Sequence, residues 1–186
     1  DANAGAFAEG IGSDLPSSFF YLSLSNTVGG AIFHDGNLLP GDAFRCGEAG
    51  HMTLIPDGKP CYCGKTGCVD AYCSARLLSD LSGGRLEDFF LGLQQNNPDY
   101  RSVWDTYLKH LAVVINNLHM ILDYDIVLGG YVGSFLSPWL DTIRRLVAEH
   151  NTFEDDGSFV KLCTYQTGAA AYGAAMDVME EFLRTV

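Results

Sequence analysis

The chain has 186 residues, 47% apolar and 18% charged, a composition that suits a folded domain and not a disordered segment. Acidic residues outnumber basic ones by 23 to 11, for a formal charge of -12. That argues against nucleic-acid binding by these residues, because neutralising phosphate takes clustered Lys and Arg. No apolar run reaches the roughly 18 residues of a membrane helix. Without a basic and then apolar leader, the six cysteines are expected in a reducing, cytoplasmic setting. A chain that opens on Asp1 without Met is expected to be cut from a longer protein.

In chain order, "DANAGAFAEGI" is Ala-rich with Asp1 at its head, the pattern of a capped helix. "SSFFYLSLS" alternates and is β-rich, and "NTVGGAIF" follows, which predicts strand, tight glycine turn, strand. "HDGN" predicts a hairpin turn. Residues 35 to 68 carry Gly, Pro and Cys with little periodicity and are expected as loop and short strands. "DAYCSARLLSDL" resumes a helical pattern that stops at Gly83-Gly84, and Leu86 to Leu93 predicts a short helix broken by "QQNNPD". "YRSVWDTYLKHLAVVINNLHMIL" has the three- and four-residue spacing of a long amphipathic helix, its apolar stripe read as core. "DYDIVLGGYV" predicts a buried strand entering a Gly-Gly turn. "SPWLDTIRRLVAEH" predicts a helix with Ser137 as cap and Pro138 at its first position. "FVKLCTYQ" predicts a strand, and "GAAAYGAAMDVMEEFLRTV" a closing helix. Alternating helices and strands give an α/β or α+β class, with no internal repeat and one lobe.

The chemistry concentrates in "GEAGHMTLIPDGKPCYCGKTGCVDAYCSA", residues 47–75. The spacing is His51, nine residues, Cys61, one, Cys63, four, Cys68. Thiolate and imidazole donors suit a tetrahedral zinc ion. Adjacent-but-one cysteines fit a shared ion better than a disulfide with each other. Four protein ligands leave no open position, which makes such a zinc structural and not a Lewis acid. Cys46, Cys73 and Cys163 fall outside the spacing and are expected as buried thiols. "GKT" at 64–66 is no Walker A motif, because five residues and two thiols separate Gly58 from Gly64.

Read together, "GEAGHM", "CYCGKTGCVDAYCS", "DANAGAFAE", "IVLGGYV" and "GAAAYGAAM" closely resemble, in order, the motifs of the ROK family of bacterial sugar kinases and sugar-responsive repressors. The resemblance implies a ribonuclease H-like, actin-like α/β lobe spanning 1–186, with an inserted zinc loop and with the family's N-terminal Asp-x-Gly-x-Thr lobe absent.

It also implies roles. Asp1 stands where the family has the base that takes the proton from the attacking sugar hydroxyl. The residues alone leave it a plain helix cap. Glu48 and His51 match the family's sugar ligands, and His51 would share itself with the zinc. Asp70 stands where the family usually has a sugar-binding Glu, one methylene longer; a cap for the following helix is the alternative. Thr27 and Gly29, in "SNTVGG", occupy the place of a phosphate loop that commonly carries Gly-Thr-Gly. Gly129 and Gly130 match a nucleotide-side turn. A kinase would use ATP with Mg on a hexose or N-acetylhexosamine. The alternative is the sugar-sensing lobe of a regulator, meeting DNA only through a domain upstream. Homo-oligomers are expected of either.

Overall fold

The computed structural model of the chain describes residues 1–185. Its elements run Ala2–Gly12 (α1), Phe19–Leu24 (β1), Val28–His34 (β2), Asn37–Leu38 (β3), Asp70–Cys73 (α2), Ala75–Ser79 (α3), Leu86–Gln94 (α4) and Pro98–Leu122 (α5). Asp125–Gly129 (β4), Gly130–Gly133 (α6), Leu140–Ala148 (α7), Val160–Leu162 (β5) and Ala169–Thr185 (α8) complete them.

The sheet is mixed, in the order β3-β2-β1-β4-β5. Antiparallel pairing joins β1 to β2 and β2 to β3, and parallel pairing joins β1 to β4 and β4 to β5. Every residue of β1 is buried, so this strand takes the middle. Phe20, Leu22 and Leu24 join one apolar cluster with α5, α4 and α7, while Phe19 and Tyr21 join a second with α1. Those are the two faces that period-two alternation separates. On the first face α5 supplies Trp104, Tyr107, Leu108, Leu111 and Ile115, each nearly or fully buried. At about 1.5–3 kcal/mol for a fully buried large side chain, this is the main store of stability.

The long helix, the hairpin and the closing helix form where expected. Asn97 caps α5 by accepting from the amides of Asp99 and Tyr100 at 3.0 and 3.3 Å. Asp35 and Gly36 make the hairpin turn with φ of 47° and 79°. Four expectations change. Gly29 and Gly30 lie within β2, and the turn is Ser25-Asn26-Thr27. A Cβ on Gly30 would overlap the Phe20 ring and the Gly47 carbonyl, so the glycine serves close packing and not a turn. The helix expected from 70 to 81 breaks at Ser74, whose ψ of 151° is extended. The break lets the Ala75 amide donate to Ser25 O at 2.7 Å. Pro138 sits in a 3-10 turn, Ser137–Trp139, ahead of α7, and Ser137 makes no side-chain cap. The last strand shortens to three residues, after which Cys163 turns to meet α1. Among the described residues no helix is long and apolar enough to cross a membrane.

Candidate functional site

The carboxyl ends of the parallel strands β1 and β4 open a crevice, the usual place for ligands in such sheets. The turn 25–27 divides it. On one side Asp1, Thr27, Gly29 and Glu48 line a cleft of about 270 Å³. On the other, Asn26, Tyr131, Ser134 and Thr167 line one of about 290 Å³. Gly129 and Gly130 line neither. At a φ of +77°, a Cβ on Gly130 would stand 2.7 Å from Leu24 N and Ser25 Oγ. The glycine lets the strand end press against the turn and leaves Tyr131 and Ser134 facing the second cleft.

Asp1 heads α1, but its side chain makes no cap hydrogen bond. The helix is fixed at its other end instead. Glu9, fully buried, accepts through Oε1 from the Cys163 thiol and the Tyr165 amide, both at 2.9 Å. Its Oε2 has no hydrogen-bond partner among the described residues. Burial and the Glu9 contact push the Cys163 thiol up to about 12.

The loop 47–75 builds a compact knuckle from two isolated bridges, Thr53 with Cys68 and Pro60 with Thr66. Gly64 and Gly67, at φ of 85° and 78°, reverse the chain between the cysteines. The ligand atoms of His51, Cys61, Cys63 and Cys68 all lie within 4.8 Å of one another, and Cys63 Sγ is 3.7 Å from Cys68 Sγ. A tetrahedral ion with metal–sulfur bonds of about 2.3 Å separates its sulfurs by about 3.8 Å. The donor set and the spacing therefore fit zinc. All six cysteines are free thiols, and Cys46, expected buried, is half-buried at the lip of the first cleft.

Of the three residues matched to sugar ligands, Glu48 is exposed in the cleft beside Asp1. His51 meets the Tyr62 hydroxyl through Nε2 at 3.2 Å, the two rings edge to face. Asp70 is buried, and its Oδ1 accepts from the Val28 amide at 2.6 Å. It does not cap its helix; it holds the first residue of β2, and with it the end of the 25–27 turn. Two residues of the first cleft went unnoticed in the sequence, Tyr62 and Phe44. Tyr62 had a signal, since any residue between two closely spaced ligands is carried to the rim of the site. Phe44 had none.

The family model for the ROK family matches residues 1–181. The chain belongs to the ROK family. It is 30% identical over 186 residues to an N-acetylmannosamine kinase of Salmonella typhi, covering 95% of this chain and 62% of that protein. Among solved structures it is similar to the ROK hexokinase from Thermus thermophilus, with a TM-score of 0.75 and 25% identity over 96% of this chain and 64% of that one. It shares its fold with a ROK family transcriptional regulator, a homologue of the E. coli MLC protein, at a TM-score of 0.73, 23% identity, and 95% and 51% coverage. The ROK chain described here thus spans less than two thirds of the length of each. Its α/β fold with a mixed sheet is that of the ROK sugar kinases, within the actin-like class.

Proposed function

We propose that this chain is the sugar-binding lobe of an ATP-dependent hexose or N-acetylhexosamine kinase, completed by a second lobe elsewhere in the full-length protein. The reading is supported by kinship with an N-acetylmannosamine kinase. The observation that carries it is that Asp1, whose side chain makes no cap hydrogen bond, and Glu48 line one cleft beside the 25–27 turn.

In this reading Glu48 holds sugar hydroxyls. Asp1 accepts the proton of the attacking hydroxyl as its oxygen bonds to the γ-phosphorus, and the bond from that phosphorus to the ADP oxygen breaks. ATP lies along the second cleft, its phosphates reaching the amide and hydroxyl of Thr27 and the backbone at Gly29, while Gly129 and Gly130 let the strand end press against the 25–27 turn and so set Tyr131 and Ser134 on the nucleotide side. Magnesium, arriving with the nucleotide, neutralises phosphate charge. His51, Cys61, Cys63 and Cys68 would hold a zinc ion, which with four protein ligands would fix the loop and supply no Lewis-acid chemistry. The setting is cytoplasmic and the assembly a homo-oligomer.

The test is ATP turnover by the full-length protein over a sugar panel, repeated with Asp1→Asn. Loss of a general base is expected to lower kcat by about 10²–10⁴-fold. Turnover that survives the substitution removes Asp1 from the role. A second reading, a sugar-sensing lobe of a regulator, is favoured by the Ser25-Asn26-Thr27 turn, which lacks the glycines of a close phosphate loop. It predicts sugar binding without turnover.

A further inference from the structure

The first cleft pairs carboxylates with aromatic rings. Tyr62 keeps 65% of its surface exposed and Phe44 84%, and both line the cleft that holds Asp1 and Glu48. Aromatic rings beside a polar cleft offer a ligand an apolar face to pack on. Phe44 also has φ of +54°, a conformation that disfavours a bulky side chain and that recurs at ligand clamps. Its turn is closed by the Phe44 amide donating to Gly41 O at 3.3 Å. Meanwhile two residues matched to sugar ligands are engaged elsewhere, Asp70 with Val28 N and His51 Nε2 with Tyr62.

We propose that Tyr62 and Phe44 are specificity-determining residues that stack on the C–H face of a hexopyranose whose hydroxyls bond Glu48 and Asp1. This rests on the sugar-kinase reading above. A chair hexopyranose presents its C–H bonds on its faces and its equatorial hydroxyls around the rim. Ring faces and rim carboxylates therefore read different parts of one molecule. Tyr62 takes over the contact matched to His51. His51 Nε2 and the Tyr62 hydroxyl stand 3.2 Å apart and the two rings meet edge to face, so the ring orientation of Tyr62 is set by a residue of the candidate metal site. The hydroxyl keeps capacity for a further hydrogen bond, to a sugar oxygen.

The experiment titrates glucose and N-acetylmannosamine into the full-length protein by calorimetry, with zinc content and ATP turnover measured on each variant. Tyr62→Ala and Phe44→Ala are each expected to weaken sugar binding, and raise its KM, by about ten-fold, with kcat changing less. Tyr62→Phe, which keeps the ring, should stay within about three-fold of wild type, since one neutral hydrogen bond is a modest net contribution. Affinity within two-fold of wild type in either alanine variant overturns the assignment of that ring while the kinase reading stands. Should Tyr62→Ala shed zinc, Phe44→Ala, which lies outside the loop, decides the matter: sugar affinity within two-fold of wild type in that variant overturns the stacking role. A wild-type protein that neither binds nor phosphorylates either sugar overturns both the stacking role and the reading beneath it.

Discussion

Asp70 is 7% exposed, and its carboxylate accepts the Val28 amide at 2.6 Å, so it secures the first residue of β2 beside the 25–27 turn. Asp70→Ala leaves that buried N–H without an acceptor, which costs about 1–3 kcal/mol. Asp70→Asn keeps an acceptor oxygen and should cost less. Thermal midpoints of the two variants check the order, and equal midpoints would show that the Val28 contact carries no stability. The motif around Asp70 was legible from residue types and spacing, yet its partner was not. Val28 stands 42 positions away in the chain, and no local pattern announces that a carboxylate will bond an amide there. The four metal-binding candidates were legible for the opposite reason: their spacing is local, and the glycines between them are the means by which the chain returns to one point.

At the scale of elements, periodicity made α5 readable, because 25 residues sample seven turns of one apolar face. Short segments gave no such average. Gly29-Gly30 looks like a turn in sequence because a glycine pair is ambiguous between reversal and close packing, and the deciding neighbour, Gly47, arrives from another loop. Ser74 breaks a helical run for a similar reason, its successor's amide being claimed by Ser25 O. Gly30→Ala tests the packing account. The added methyl must displace the Phe20 ring or the 47–48 backbone, and overpacking of this kind costs about 1–3 kcal/mol. A denaturant midpoint equal to wild type would show that the strand yields freely. Glu48 follows Gly47 directly, so if the proposed sugar site is right, sugar affinity falls along with stability.

Across the whole molecule the thiols of the candidate metal site and those of the core differ in environment, and alkylation in the presence of a chelator should reveal the difference. Burial raises the thiols of Cys73 and Cys163, which stay protonated and slow to alkylate at pH 8. After treatment with EDTA, Cys63, which is exposed and whose thiol a backbone hydrogen bond at Lys65 holds below its ordinary value, is expected to react with iodoacetamide, while Cys68, Cys73 and Cys163, buried and raised, stay unlabelled until the protein unfolds. Mass spectrometry of the labelled peptides reads the result. Equal labelling of Cys163 would mean that the junction of α1 with the end of β5 opens in the folded state. That junction has a mechanical meaning. The 11 residues of α1 form a rod about 16 Å long, with Asp1 at its tip and Glu9 bolted to Cys163 and Tyr165, two positions short of the second cleft's Thr167. From Glu9 to Asp1 is about 12 Å, so a tilt of about 5° at the bolted residue swings the tip by about 1 Å, on a scale where 1 Å of misplacement can cost about a hundred-fold in rate. In the proposed kinase the aim of Asp1 is thus set from the other end of its own helix, by a buried acid that lines neither cleft.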